Sequence, residues 1–461
     1  MNLKFETRNV WQNVSDDERK EIFRYSKDYM NFLDRSKTER LAAKEIVRLA
    51  KEKGYISLEE KIEMGSIKKG DKIYYLNHEK SVVLVHIGDD LENGMRIVGA
   101  HIDSPRLDLK ALPLYEDGNL ALFKTHYYGG VKKYQWTCIP LALHGVIYNS
   151  KGEKMIVNIG EDENDPVFYI NDLLIHLSKD QMAKTLADGI SSEQLNVIAG
   201  HDAKTDDKDE KEAIKLNVLK YFNEKYGITE EDFQIAELEI VPAGKSREVG
   251  IDRSMIAAHG HDDRVCSYAA LEAMLKLEQP QKTAVAIFVD KEEIGSVGNT
   301  SMSAKFFENM IAEILYLQGK KENILLRRAL ANSEVLSADV TVAFDPTFPE
   351  VVDQKNAAKL GCGIAISKYT GSRGKGGCND ANAEFLQTVR KIFNDNDIIW
   401  QTGELGKGDQ GGGGTIAYIL AELGAQVVDC GTAMHSMHAP IELLSKADAY
   451  MTSKAYYAFL K

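Results

Sequence analysis

The sequence predicts an α/β protein: a helix-sandwiched, largely parallel sheet with an inserted, mostly β second domain. Three observations predict it. Short apolar runs ending in polar tips recur along the chain, and helical segments lie between them. From about Leu112 to Val249 that alternation gives way to strand-like pieces. At 461 residues the chain is also too long for one ordinary core. The expected division is a discontinuous domain of residues 1–111 and 250–461, with residues 112–249 as the insertion.

Residues 36–54 read as a helix, with Ser36 and Glu39 as a capping box and Gly54 as its stop. "RIVGAHID" (96–103) reads as a strand with a polar tip. In the insertion, "EKMIVNIG" reads as a strand and "NDLLIHLSKDQMAK" as a helix; "DAKTDDKDEKEAIK" reads as a solvated loop. "KTAVAIFVD" (282–290), "VTVAFDP", "DIIWQTG" and "AQVVDCG" are further strands. Helices are expected over 268–277, over 415–423 and after Ser445. No internal repeat is evident.

Composition excludes several classes. A net charge of −13 offers no basic face to nucleic acid or an anionic membrane. No apolar run reaches the roughly 18 residues of a membrane span. The first residues, "MNLKFETRNVWQNVSDDERK", lack the apolar core of a secretion signal. Five scattered cysteines, with no C-x-x-C pair, fit a reducing cytosol rather than a disulfide framework or a thiolate zinc site.

Chemistry-bearing residues gather at the strand ends, where α/β folds bind ligands. In order they are His101 and Asp103, Asp262 and Asp263, Glu292 and Glu293, Asp339, and His438. Singly, each has an ordinary role: a hydrogen-bonded histidine, a helix N-cap before "RVCSYAAL", a solvated turn. Together they supply imidazole and carboxylate without sulfur. That set suits zinc, cobalt or manganese, and two ions if one carboxylate bridges. In H-x-D, Asp103 can take the imidazole N–H and fix its tautomer. Adjacent glutamates at a strand end repel unless they are solvated or a positive charge sits between them.

"GAHIDSPR", "DDRVCSYAALEA", "VDKEEIGS", "SAD" and "MHAPIE", in this order along nearly the whole chain, resemble the signatures of the M18 metallo-aminopeptidases. The resemblance implies a catalytic α/β domain, an insertion that helps assembly, two divalent ions (zinc first, cobalt or manganese as alternatives) and a tetrahedral dodecamer. Peptides with a free N-terminus would be cleaved by metal-activated hydroxide. One ion would be held by His101, Asp339 and a bridging Asp263, the other by Asp263, Glu293 and His438. Asp262 and His435 stand as the alternative ligands. Glu292 would be the general base.

The same resemblance assigns Asp409, Gly413 and Thr415 in "GDQGGGGT" to a substrate-lining loop, a stretch that matches no phosphate-loop pattern. His176 would reach a neighbouring subunit's site. The family prefers acidic N-terminal residues, but Ala365 stands where its pocket lysine would be. Lys359, Lys368 or Arg373 are the substitutes, and a broader preference is the alternative. A carboxypeptidase or amide deacylase on the same ligands is the second reading of the chemistry.

Overall fold

Residues 3–206 and 209–461 are described by the computed structural model. Met1 and Asn2, and Asp207 and Lys208 of the charged run read as a solvated loop, lie outside the described residues. The chain divides into two compact units. One comprises Met1–Asp103, Ser246–Met437 and Glu442–Lys461; the other comprises Ser104–Lys245 and His438–Ile441.

The first unit is built on a nine-stranded sheet. Its centre is four mutually parallel strands, in the order Thr283–Val289, Met95–His101, Glu334–Ser337 and Gln426–Gly431. Ser81–His86 and Ile364–Ser367 flank them antiparallel. Successive side chains of a strand point to opposite faces. Here Val98, Ala100, Ala286 and Phe288 enter one apolar cluster, while Ile97, Val285, Ile287 and Val289 enter another. Helices Asp16–Arg35, Glu39–Glu52, His261–Lys276, Ala383–Asp395 and Lys446–Leu460 contribute to the first cluster. Phe306–Leu317, Asn323–Ala331 and Ala417–Glu422 contribute to the second. Burying both faces explains the continuous apolar runs. Each fully buried Val, Ile or Phe side chain contributes roughly 1.5–3 kcal/mol.

Three local expectations change. The helix expected from Ser36 is capped by Thr38, whose hydroxyl accepts from Leu41 N. "VTVAFDP" yields only Thr341–Val342, paired in a separate five-stranded sheet. The central strand is instead Glu334–Ser337, and Asp339 lies two residues past its end. "NDLLIHLSKDQMAK" forms only a 3-10 turn, Ile175–Leu177, and one α turn, Lys179–Met182. Its apolar side chains have no core of their own to pack on: Ile175 is 69% exposed and Met182 71%.

The second unit is a six-stranded antiparallel sheet with helix Ala213–Tyr226 against it. Its first strand, Arg106–Asp117, runs unbroken through Leu112. The unit therefore starts at Ser104 rather than at 112, and Arg247–Val249 pairs with Met255–Ala258 in the first unit. Nothing in the local pattern marks either boundary. The core centres on Phe123, whose ring lies 6.2, 6.2 and 6.1 Å from those of Phe168, Phe222 and Phe233.

Phe123→Ala is expected to destabilise this unit by about 3–5 kcal/mol. Urea unfolding followed by insertion-unit fluorescence would show it; an unchanged midpoint would contradict this account of the core.

Candidate metal centre

The first unit's parallel strands bring the chemical residues together at their carboxyl ends. His101 closes strand Met95–His101, opposite Val289 on the neighbouring strand. Glu292 and Glu293 follow Val289 in the 3-10 turn Glu292–Ile294. Asp262 stands at the start of helix His261–Lys276, after Gly260 in the left-handed region at φ 75°.

His101 Nε2 lies 3.1 Å from Asp262 Oδ1, 3.9 Å from Glu292 Oε2 and 3.9 Å from Asp339 Oδ1. Two donor groups share this imidazole: His101 with Asp262 and Glu293, and His101 with Glu292 and Asp339. Within each group the ligand atoms lie within 4.8 Å of one another. On its other side, His101 Nδ1 lies 3.0 Å from the Asp103 carbonyl and 3.3 Å from Asp103 Oδ1. Both are acceptors, so Nδ1 keeps its proton and Nε2 is the nitrogen available to an ion.

The supporting contacts are specific. The fully buried Asp103 carboxylate accepts from Glu292 N and Glu293 N, each at 3.2 Å. Asp262 N donates to Glu442 Oε2 at 3.1 Å. Ser267 Oγ donates to the His101 carbonyl at 2.7 Å. The buried Arg264 guanidinium donates to the carbonyls of Lys37 and Ile102. Glu442 was visible in the sequence only as a spacing after His438; its bond to Asp262 needed the fold.

Four carboxylates in one largely buried cluster repel one another. Burial and then the charges of Asp263, Glu292 and Asp262 push Asp339 well above the usual carboxylate range, against the opposing pull of His101. Burial disfavours a charged His101. Its hydrogen bonds with Asp103 and Asp262, and the Glu292 charge, outweigh that and hold it protonated well above the ordinary histidine range. This donor chemistry, imidazole and carboxylate around one point, fits a divalent cation of the zinc type.

The other expected residues lie as follows. Asp263 belongs to neither donor group; burial pushes its carboxyl well above the usual range, with the Asp262 charge adding to this and His101 opposing it. The carboxylate oxygen beside His101 is that of Asp262, the alternative to the Asp263 that the family resemblance implied. His438 falls in the second unit, with Nδ1 2.9 Å from the Gly130 carbonyl, while His435 Nε2 lies 3.1 Å from the Phe344 carbonyl. His176 is exposed, not a core histidine. Asp409 and Gly413 are exposed beside the hairpin Gly406–Lys407 with Gln410–Gly411. Thr415 Oγ1 donates to Asp429 Oδ1 at 2.6 Å, and burial pushes Asp429 up to about 6. Ala365 is fully buried in a cluster with Ala343, Ala358 and Ala433.

The family model for the aminopeptidase I zinc metalloproteases, M18, matches residues 32–460. The chain belongs to the M18 family. As an M18 protein it is a metallo-aminopeptidase. It is 51% identical to a probable M18 family aminopeptidase 1 of Clostridium acetobutylicum, over 99% of this chain and 98% of that one. The Thermotoga maritima relative of the same description is 48% identical, over the full length of both chains. The crystal structure of the Thermotoga maritima M18 aminopeptidase superposes with a TM-score of 0.95 at 47% identity, covering 99% and 100% of the two chains. The S. cerevisiae mApe1 dodecamer shares the fold alone, with a TM-score of 0.75 at 21% identity, covering 94% and 95%.

Two predictions follow from the geometry. Cation binding must displace protons from His101 and Asp339, whose affinities for them are raised. Zinc affinity is therefore expected to rise from pH 6 to pH 8 with proton release, measurable by calorimetry in buffers of different ionisation enthalpy; a flat profile would contradict it. Asp103→Ala is expected to weaken zinc binding by about 10–100-fold. Competition with a chromogenic chelator would measure it, and unaltered affinity would remove Asp103 from the support.

Proposed function

We propose that this M18 aminopeptidase works with two divalent ions and removes N-terminal residues from peptides with Glu292 as the base. The observation that carries the reading is the cluster of four carboxylates, Asp262, Glu292, Glu293 and Asp339, around His101, which is more donor charge than one divalent ion offsets. His101, Asp339 and Asp262 would hold one ion. Asp262, Glu293 and His438 would hold the other, His438 being supported by its motif alone. Asp262 replaces Asp263 as the bridging carboxylate in this proposal, because its oxygen is the one beside His101.

Divalent ions at these residues supply Lewis-acid polarisation of the scissile carbonyl and lower the pKa of a water from about 15.7 toward 7. Glu292 takes the proton of the attacking water and returns it to the leaving amine. Asp103 fixes the backbone of Glu292 and Glu293 and the proton on His101 Nδ1. A cluster this rich in carboxylate favours a substrate's free α-amino group, which makes the enzyme an exopeptidase. Asp409, Gly413 and Thr415 are proposed to line the substrate path.

An acidic preference needs a cation facing the substrate. Ala365, buried among alanines, provides none, so the preference is proposed to extend beyond acidic residues. Lys359, Lys368 and Arg373 remain the candidate cations. Oligomerisation is supported by the exposed apolar stretch Leu173, Leu174, Ile175, Leu177, Met182 and Leu186; the tetrahedral dodecamer is proposed as its form from the family resemblance. His176 lies within that stretch and is proposed to reach a neighbouring copy. Among the described residues no helix is long and apolar enough to cross a membrane. Free cysteines support a cytoplasmic location.

Glu292→Gln is expected to keep its metal and lose about 10²–10⁴-fold in turnover. Metal content and hydrolysis of a panel of aminoacyl anilides would measure both, and wild-type turnover would reject the base. Asp262→Ala is expected to lose metal while Asp263→Ala retains it; the opposite result restores Asp263 as the bridge. Cleavage of N-terminally blocked peptides would point instead to a carboxypeptidase or deacylase.

A further inference from the structure

We propose that Lys291 is a positioning residue for the reaction: its ammonium closes the neck of the loop that carries Glu292 and Glu293. The inference rests on the reading of Glu292 as base. The loop runs from Asp290 to Thr300. At its neck Asp290 N donates to the Thr300 carbonyl at 3.3 Å, and Thr300 Oγ1 donates to Asp290 Oδ2 at 2.6 Å. Lys291 Nζ donates to Asp290 Oδ2 at 3.0 Å and to Thr300 Oγ1. One ammonium therefore ties the entering and returning arms together.

The backbone is shaped for this. Lys291 sits in the left-handed region, at φ 67°, an uncommon conformation for a long side chain. Its carbonyl accepts from Ser296 N at 2.7 Å and from Ile294 N at 3.4 Å, which curls the loop around it. Gly298 leaves the lysine stem its channel: a Cβ there would lie 3.1 Å from Lys291 Cδ and 3.4 Å from Cε. Asn77 Nδ2 holds the Asn299 carbonyl at 2.9 Å, and Ser81 Oγ holds that of Thr300, so the returning arm is fixed to the sheet. Asp290 is nearly fully buried, so the ion pair is only partly screened by water.

A lysine next to two glutamates in sequence would ordinarily pair with them. Here its charge is bound to Asp290 and Thr300 instead. The neck therefore orients the turn bearing Glu292.

The test compares Lys291→Met, Lys291→Arg and Thr300→Val in the full chain. Lys291→Met and Thr300→Val are expected to lower kcat by roughly 10–100-fold, the scale of a misplacement of about 1 Å. KM, bound zinc and exchange protection elsewhere should stay at wild-type values, while amide exchange over residues 290–300 accelerates. Lys291→Arg is expected to restore part of kcat. Wild-type kcat in Lys291→Met, with Glu292→Gln inactive, overturns the inference and leaves the base intact. Activity in Glu292→Gln overturns the base reading itself. Loss of zinc, or faster exchange throughout the unit, would make Lys291 merely structural and equally overturn the inference.

Discussion

Mutual repulsion of Asp262, Glu292, Glu293 and Asp339 around one imidazole is the constraint on which the first unit turns. Such a cluster is unfavourable in a folded interior unless protons or cations offset it. Its persistence is explained by what surrounds it. The four central strands are buried on both faces and end at one level, so their tips cannot move apart without opening two apolar clusters. Packing thus holds together charges that would separate in water.

Around the cluster, several groups are held by contacts of different chemistry. Asp103 takes two backbone amides and faces the imidazole N–H. Glu442 takes the Asp262 amide, and Ser267 takes the His101 carbonyl. Arg264 and Lys291 both stand near the carboxylates in sequence, yet Arg264 donates to backbone carbonyls and Lys291 donates to Asp290 and Thr300. Such support restricts rotamers without placing an ammonium or guanidinium in the way of a divalent ion.

The second unit follows a different logic. Its aromatic core is complete, but the stretch around Ile175–Leu177 leaves leucines, isoleucine and methionine in water. A sequence pattern that reads as a helix becomes two short turns there, because helical stability comes chiefly from packing an apolar face and this unit offers it no surface. The proposed assembly would cover this apolar surface.

By itself the sequence determined the alternation of buried strands and helices, the presence of an insertion, and the residue types at each strand tip. Those features are local: apolar periodicity, turn residues, and histidines and acids within a few positions of a strand end. Adjacent residues it could not separate. Only the fold set the Asp262 carboxylate beside His101 and left Asp263 out of both donor groups. The backbone at the helix start is not helical there, with φ −80° and ψ 110° at Asp262 and φ −112° and ψ 34° at Asp263. Likewise only the fold buried Ala365, moved the central strand to Glu334–Ser337 and joined Lys291 to Thr300. Each of these depends on which distant segment fills the space alongside, and no pattern within a short stretch of chain carries that information.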